Sequence, residues 1–260
     1  MSEYIQAYIE RARAAQAAAE NWTQEDADRA VTAIARAVYD NAEDLARLAV
    51  EETGMGAYED KIAKNKNKAQ MIVADLRTKK SVGILSRDPD TGITEIGKPV
   101  GIVAAITPVT NPIVTPMSNV MFALKSRNAI IITPHHRATR SSTRTVELIN
   151  ANLKEIGAPA DIVQIIGVHS RENTRELISS ADVVIATGGM GMVKAAYASG
   201  TPALGVGAGN VQCIIDRDAD IGEVIPMIVA GRAFDNGVIC SAEQSIIFPV
   251  EKEAEIVKAL

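Results

Sequence analysis

Aromatic residues make up only 3% of this 260-residue chain, with one tryptophan, three phenylalanines and five tyrosines. A core without large rings has to be built from Ala, Val and Ile, and a hydrophobic content of 47% supplies enough of them for a full interior. That composition is common where helices cover a parallel sheet. Cysteine is scarcer still. The two present, Cys213 and Cys240, stand in unlike surroundings, form no disulfide framework and suit a reducing cytoplasm. Positive charge is not in excess: a net charge of −5 without a dense basic cluster argues against a nucleic-acid partner. No run is long and apolar enough to span a membrane. Met1-Ser2-Glu3-Tyr4 lacks a basic segment followed by an apolar one, so no signal peptide is expected and the location expected is cytoplasmic.

From Ile5 to about Thr78 the chain is helical, Ala-rich and charged. Thr23-Gln24-Glu25-Asp26 resembles a capping box with Asp in the usual Glu place. Beyond it, Ala27, Val31, Ile34, Ala35 and Val38 recur on one helical face. Asn41 stands where it would cap the next helix, which carries Leu45, Leu48 and Ala49 inward and stops at Gly54-Met55-Gly56. The run Lys61 to Lys68 is basic at alternate positions and reads as a solvated helix face. Between Val82 and Lys98 the period changes to two around Asp88-Pro89-Asp90-Thr91-Gly92, which predicts an exposed β-hairpin arm whose free edge suits pairing with another subunit.

From Gly101 onward short apolar runs alternate with helical ones. The expected strands are Ile102–Ile106, Ala129–Ile132, Ile162–Ile166, Val183–Ala186 and Cys213–Ile215, with helices at about Ile113–Lys125, Thr139–Ile156, Arg171–Ser179 and Met192–Ser199. This order predicts an α/β fold, an open parallel Rossmann-like sheet covered on both faces. The division expected is an N-terminal helical layer over 1–80, the hairpin arm over 81–100, a nucleotide-binding domain over 101–233 and the start of a catalytic domain over 234–260.

Ligands of such sheets bind beyond the C-terminal ends of the strands. The first strand ends in Thr107-Pro108-Val109-Thr110-Asn111-Pro112, where Asn111 serves either as a helix N-cap or as an amide donor to an anion. The second ends in Thr133-Pro134-His135-His136-Arg137, with no further His, Cys, Asp or Glu at ligand spacing, so no metal is expected. No carboxylate follows this strand to hold a ribose 2′-hydroxyl, and Arg137 and Arg140 lie close by in the chain, which leaves a 2′-phosphate open. The fourth ends in Thr187-Gly188-Gly189-Met190-Gly191, where backbone N–H groups can approach a phosphate, although glycines also serve tight turns. Gly205 to Asn210 is a second glycine-rich loop. Cys240 follows the turn signal Asn236-Gly237 and is expected at a strand–helix corner between Val238-Ile239 and Ser245–Phe248, either facing a cleft or packed as an inert hydrophobe. Cys213, inside a strand pattern, is assigned to the core.

Thr107 to Pro112, Pro134-His135, Ala186 to Gly189, Met192 to Tyr197, Gly205 to Asn210 and Phe234 to Gln244 together resemble the CoA-acylating branch of the aldehyde dehydrogenase superfamily. The resemblance runs from the N-terminal helices to the last residue and is nearest to succinate-semialdehyde enzymes, with sulfoacetaldehyde and acetaldehyde enzymes close behind. It implies that Cys240 attacks the aldehyde carbon and that Asn111, with the Cys240 N–H, stabilises the oxyanion. It further implies that Thr107, Pro108, Thr133, Pro134, His135, Thr187, Gly188, Gly189 and Gly207 bind NAD or NADP, with coenzyme A as co-substrate. The hydrolytic branch carries a Glu as base for water where this chain has Val206, so the resemblance favours thiolysis. The family continues well past its cysteine. Here the sequence ends at Leu260, inside an expected helix over 251–260 without a C-cap, so either a fragment of a longer enzyme or a remainder carried on another chain is expected, the complete protein being homo-oligomeric. Two other readings stay open: a nucleotide-binding or assembly module without catalysis and, third, a hydrolytic aldehyde dehydrogenase.

Overall fold

The structure is a computed structural model and describes residues 1–168 and 170–260. The chain opens with four helices, α1 (Glu3–Ala19), α2 (Gln24–Asp40), α3 (Ala42–Thr53) and α4 (Tyr58–Arg77), followed by the hairpin of β1 (Gly83–Arg87) and β2 (Thr94–Gly97). Then come β3 (Ile102–Ile106), α5 (Val114–Lys125), β4 (Ala129–Thr133), α6 (Thr139–Glu155), β5 (Val163–Ile165), α7 (Arg171–Ser180), β6 (Val183–Thr187), α8 (Met190–Tyr197) and β7 (Ala203–Val206). The last elements are β8 (Val211–Ile214), α9 (Ile221–Ala233), β9 (Glu243–Ile247) and α10 (Glu253–Ala259).

The capping box forms as expected: the Thr23 hydroxyl accepts from Asp26 N while the Asp26 carboxylate accepts from Thr23 N. The stripe Ala27, Val31, Ile34, Ala35, Val38 is buried along α2. Asn41 sits at the start of α3, yet its side chain donates to Ala37 O of the preceding helix and does not cap. Gly54 ends α3 with φ +65°, a left-handed cap that glycine adopts without Cβ strain.

Five parallel strands form one sheet in the order β5-β4-β3-β6-β7. Crossovers from β3 to β4 to β5 and from β6 to β7 run in opposite directions from the centre, which puts α5 and α6 on one face and α8 on the other. Every residue of β3 and β4 is buried, so their continuous apolar sequences, Ile-Val-Ala-Ala-Ile and Ala-Ile-Ile-Ile-Thr, are what two covered faces require. β7 was not anticipated: Ala203-Leu204-Gly205-Val206 reads as the start of a glycine-rich loop and becomes a strand only because β6 offers it an edge. The strand expected at Cys213–Ile215 forms as β8, but outside this sheet. It pairs in parallel with β9 and packs with α9 and α10 around a second, smaller apolar cluster of Ile215, Ile221, Ile225, Ile228 and Ile256. Cys213 is half-buried against that cluster and does not belong to the main core. The hairpin is exposed along β1 and irregular at Leu85, where a register shift separates Ile84 from Ser86.

Candidate active site

β3 and β6 lie side by side in register, Ile106 against Ala186, while their connections leave in opposite directions. A crevice therefore opens beyond their C-terminal ends. It is a cavity of about 700 Å³. Thr107 and Pro108 enter it from β3, Thr133, Pro134 and His135 from β4, and Thr187, Gly188 and Gly189 from β6. Backbone bonds hold these loops together: Thr107 N–H donates to Thr133 O at 3.1 Å and Gly188 N–H to Val206 O at 3.0 Å. The Thr107 hydroxyl is buried with no hydrogen-bond partner among the described residues, a cost that a ligand's polar atom would offset. At Gly188 and Gly189 an added Cβ would meet nothing within 4 Å, so the space before α8 is open. The N–H groups of Met190 and Gly191 begin that helix and have no partner within it. The donors and the room fit a dinucleotide pyrophosphate. His135 and His136 stack with centroids 4.3 Å apart, and among the described residues no three His, Cys, Asp or Glu side chains gather to hold a metal.

Asn111, Gly207 and Cys240 do not line this cavity. Asn111 is half-buried between β3 and α5. The helix begins at Val114, so Asn111 is not its N-cap, and among the described residues its side-chain amide has no hydrogen-bond partner. Gly207 follows β7 and touches the outer side of the glycine turn, since a Cβ there would lie 2.6 Å from Met190 Sδ. Two residues on, Gly209 passes the cysteine corner so closely that a Cβ would come within 2.1 Å of Cys240 O. Contact by contact, the Gly207–Gly209 segment links the α8 end of the cavity to the backbone of Cys240.

Cys240 is exposed at a helix-to-strand corner. The order is the reverse of that expected, because Val238 and Ile239 lie in the turn and the strand before them is replaced by α9, which begins on an Asp220 cap and contains Pro226. At the turn the backbone is left-handed three times in succession, at Asp235 (φ +53°), Asn236 (φ +55°) and Gly237 (φ +67°). Such conformations cost non-glycine residues about 1–3 kcal/mol each. What holds them is Asp235. Its fully buried carboxylate accepts from Lys64 Nζ at 2.5 Å, from Lys61 Nζ at 3.2 Å and from Ala57 N at 2.9 Å, while its own N–H donates to Asp60 Oδ2 at 2.8 Å. Gly56 leaves room for this cluster, since a Cβ there would fall 2.0 Å from Asp235 Oδ1. Burial, with the Lys61 ammonium beside it, pushes Lys64 below the ordinary lysine range against the pull of Asp235.

Lys61 and Lys64 therefore do not belong to a solvated face; both are buried. A signal existed. Lys61, Lys64 and Asn65 continue the stripe of Ala69, Ile72 and Leu76 along α4, so a period-3.6 reading places the two lysines on the inward side. Glu243, three residues after the cysteine, was also missed: one of its carboxylate oxygens is buried with no hydrogen-bond partner among the described residues, in the space that Gly231 leaves.

The model of the aldehyde dehydrogenase family matches residues 1–260. Among curated proteins the chain is 51% identical over 255 residues to succinate-semialdehyde dehydrogenase (acetylating) of Clostridium kluyveri, covering 98% of this chain and 56% of that protein. Among solved structures it superposes with a TM-score of 0.94 and 39% identity on an acetylating aldehyde dehydrogenase of Geobacillus thermoglucosidasius, covering 98% of this chain and 57% of the other. A propionaldehyde dehydrogenase of Rhodopseudomonas palustris, solved with bound CoA and an acylated cysteine, matches with a TM-score of 0.87 and 34% identity over 99% of this chain and 59% of the other. The chain thus spans somewhat over half the length of these relatives. A switch-point crevice bordered by glycines, a cysteine corner linked to it and similarity along its whole length place this chain in the aldehyde dehydrogenase family, on the acylating branch.

Proposed function

We propose that this chain is the nucleotide-binding and nucleophile-bearing part of an enzyme that converts a short aldehyde and coenzyme A into an acyl-CoA, reversibly. The observation that carries this reading is the exposed Cys240 on a corner locked by the buried Asp235 cluster and joined through Gly207 and Gly209 to the crevice. The Cys240 thiolate adds to the aldehyde carbon and forms a thiohemiacetal. Asn111, whose amide is uncommitted, and the Cys240 N–H are assigned to the oxyanion. A bound nicotinamide supplies the hydride acceptor, and the product is an acyl thioester on Cys240. The CoA thiol takes the acyl group and Cys240 returns as a thiol. Val206, apolar and half-exposed at the end of β7, offers no base to activate water, which supports transfer to a thiol over hydrolysis.

The relatives make succinate semialdehyde or sulfoacetaldehyde the substrates to try first. The second apolar cluster, in which Ile256 packs with Ile215, Ile221, Ile225 and Ile228, supports reading 234–260 as part of a catalytic domain that begins earlier, with β8, and the exposed Ile84, Ile93 and Ile96 of the hairpin support pairing within a homo-oligomer. The test follows reduced nucleotide over a panel of aldehydes with the complete gene product. Turnover should require CoA and be lost in Cys240→Ala, with nucleotide affinity kept. Without CoA, release should stop near one equivalent per site. Steady CoA-independent formation of free acid would move the protein to the hydrolytic branch, and undiminished turnover in Cys240→Ala would remove the nucleophile assignment.

A further inference from the structure

The crevice has two unlike ends. Its glycine end lies between β6 and α8 on the side of Cys240. The other end lies where the loop after β4 meets the start of α7, because β4 and β5 are paired at Ile132 and Ile165 and α7 follows β5. The lining of the crevice includes no Asp or Glu among the described residues. A ribose with free 2′- and 3′-hydroxyls is ordinarily held by a carboxylate after the second strand. Glu52, the carboxylate that bonds to the start of α6 just after the β4 loop, is already engaged: one oxygen accepts from Arg140 N at 2.7 Å and the other from Ser141 N at 2.7 Å and Ser141 Oγ at 2.5 Å.

In place of a carboxylate this end carries cations. Arg171, Thr174, Arg175 and Ile178 form one face of α7 toward the crevice, with Ile178 buried and both arginines exposed. His136 faces them from the β4 loop. Among the described residues neither Arg171 nor Arg175 makes an ion pair, and Arg171 is the first residue of a ten-residue helix, where the dipole disfavours a cation and favours an anion. Arg137 and Arg140, close to His136 in sequence, do not line the crevice, and Arg137 Nη2 is turned away to Thr53 O.

We infer that this end is a subsite for a phosphorylated adenosine ribose, with Arg171 and Arg175 as its cationic clamp and His136 opposite. Two ligands of the proposed reaction carry that chemistry: the 2′-phosphate of NADP and the 3′-phosphate of coenzyme A. The inference rests on the nucleotide-binding reading above and adds to it a preference that the reading does not require.

Calorimetric titration of the chain with 5′-AMP, 2′,5′-ADP and 3′,5′-ADP, then with NAD and NADP, tests it. A bisphosphate should bind at least about tenfold tighter than 5′-AMP at low salt, and the gap should narrow as salt screens the clamp. A gap for 2′,5′-ADP, matched by NADP over NAD, identifies the dinucleotide as the source, and a gap confined to 3′,5′-ADP identifies coenzyme A. Arg171→Gln with Arg175→Gln should abolish the gap, lowering bisphosphate affinity far more than 5′-AMP affinity. Equal binding of all three adenylates overturns the subsite and leaves the nucleotide reading intact, as does a gap that persists in the double variant. Failure of every adenylate and dinucleotide to bind overturns both.

Discussion

The two ends of the site are held by different physics. The crevice loops hang from β3, β4 and β6, strands packed from apolar residues and locked by ladder hydrogen bonds. The cysteine corner rests on a small isoleucine cluster and on three buried charges, Lys61, Lys64 and Asp235, that tie residue 235 to a helix more than 170 positions earlier. An apolar support loses a little with each methylene removed. An ionic one fails abruptly, because removing one member leaves the others buried without compensation. Cys240 is thus placed by the less forgiving support, and placement is what a backbone left-handed at three successive residues demands.

The sharpest way to break this contrast is Asp235→Ala, which strands two buried ammonium groups. A loss of about 3–5 kcal/mol is expected from the urea midpoint. Replacing all three charges together, Asp235→Leu with Lys61→Met and Lys64→Met, should recover much of it while Cys240 remains poorly placed, read as a changed alkylation rate in a Cys213→Ala background. If Asp235→Ala costs no more than a surface substitution, the corner is held by something else.

A milder perturbation acts on the other side of the thiol. Gly209→Ala puts a methyl group against Cys240 O, where the neighbour is backbone and has little freedom to move. Overpacking of about 1–3 kcal/mol is expected. The alkylation rate of Cys240 should change with it, and nucleotide affinity should not, since Gly209 does not line the crevice.

The smallest effect is on pH dependence. Lys64 holds its proton less tightly folded than unfolded, where the ordinary value is 10.5. Between the lowered folded pKa and 10.5 the unfolded chain binds more protons, so this residue makes stability rise with pH in that window. Lys64→Met should remove that contribution, a slope difference of at most about 1.4 kcal/mol per pH unit, which denaturation midpoints at successive pH values below 10.5 can resolve. Identical slopes in the two proteins would show that Lys64 does not feel the burial ascribed to it.

Much of the scaffold was legible because its signals are local. Thr23 with Asp26, the α2 stripe, Gly54 and the runs at 102–106, 129–133 and 183–187 each carry their own periodicity or cap. Eight of the nine residues assigned to the cofactor by resemblance come together in one crevice, and Gly207 stands behind its wall. What escaped depends on distant partners. β7 is a strand because β6 is there, β8 leaves the main sheet because β9 takes it, and α9 is hidden by Pro226 and an apolar sequence without a clear face.

By itself the sequence determined the class of fold, the loops worth examining and the family, since period, turn chemistry and motif order are written along the chain. The tertiary structure alone decided that Lys61 and Lys64 are interior, that Arg171 and Arg175 and not Arg137 and Arg140 face the crevice, and that Glu52 is spent on α6. A charged side chain looks the same in sequence whether it meets water or a buried counter-ion. Which it meets depends on where a remote segment docks, and that is settled by burial of the whole core and not by any local pattern.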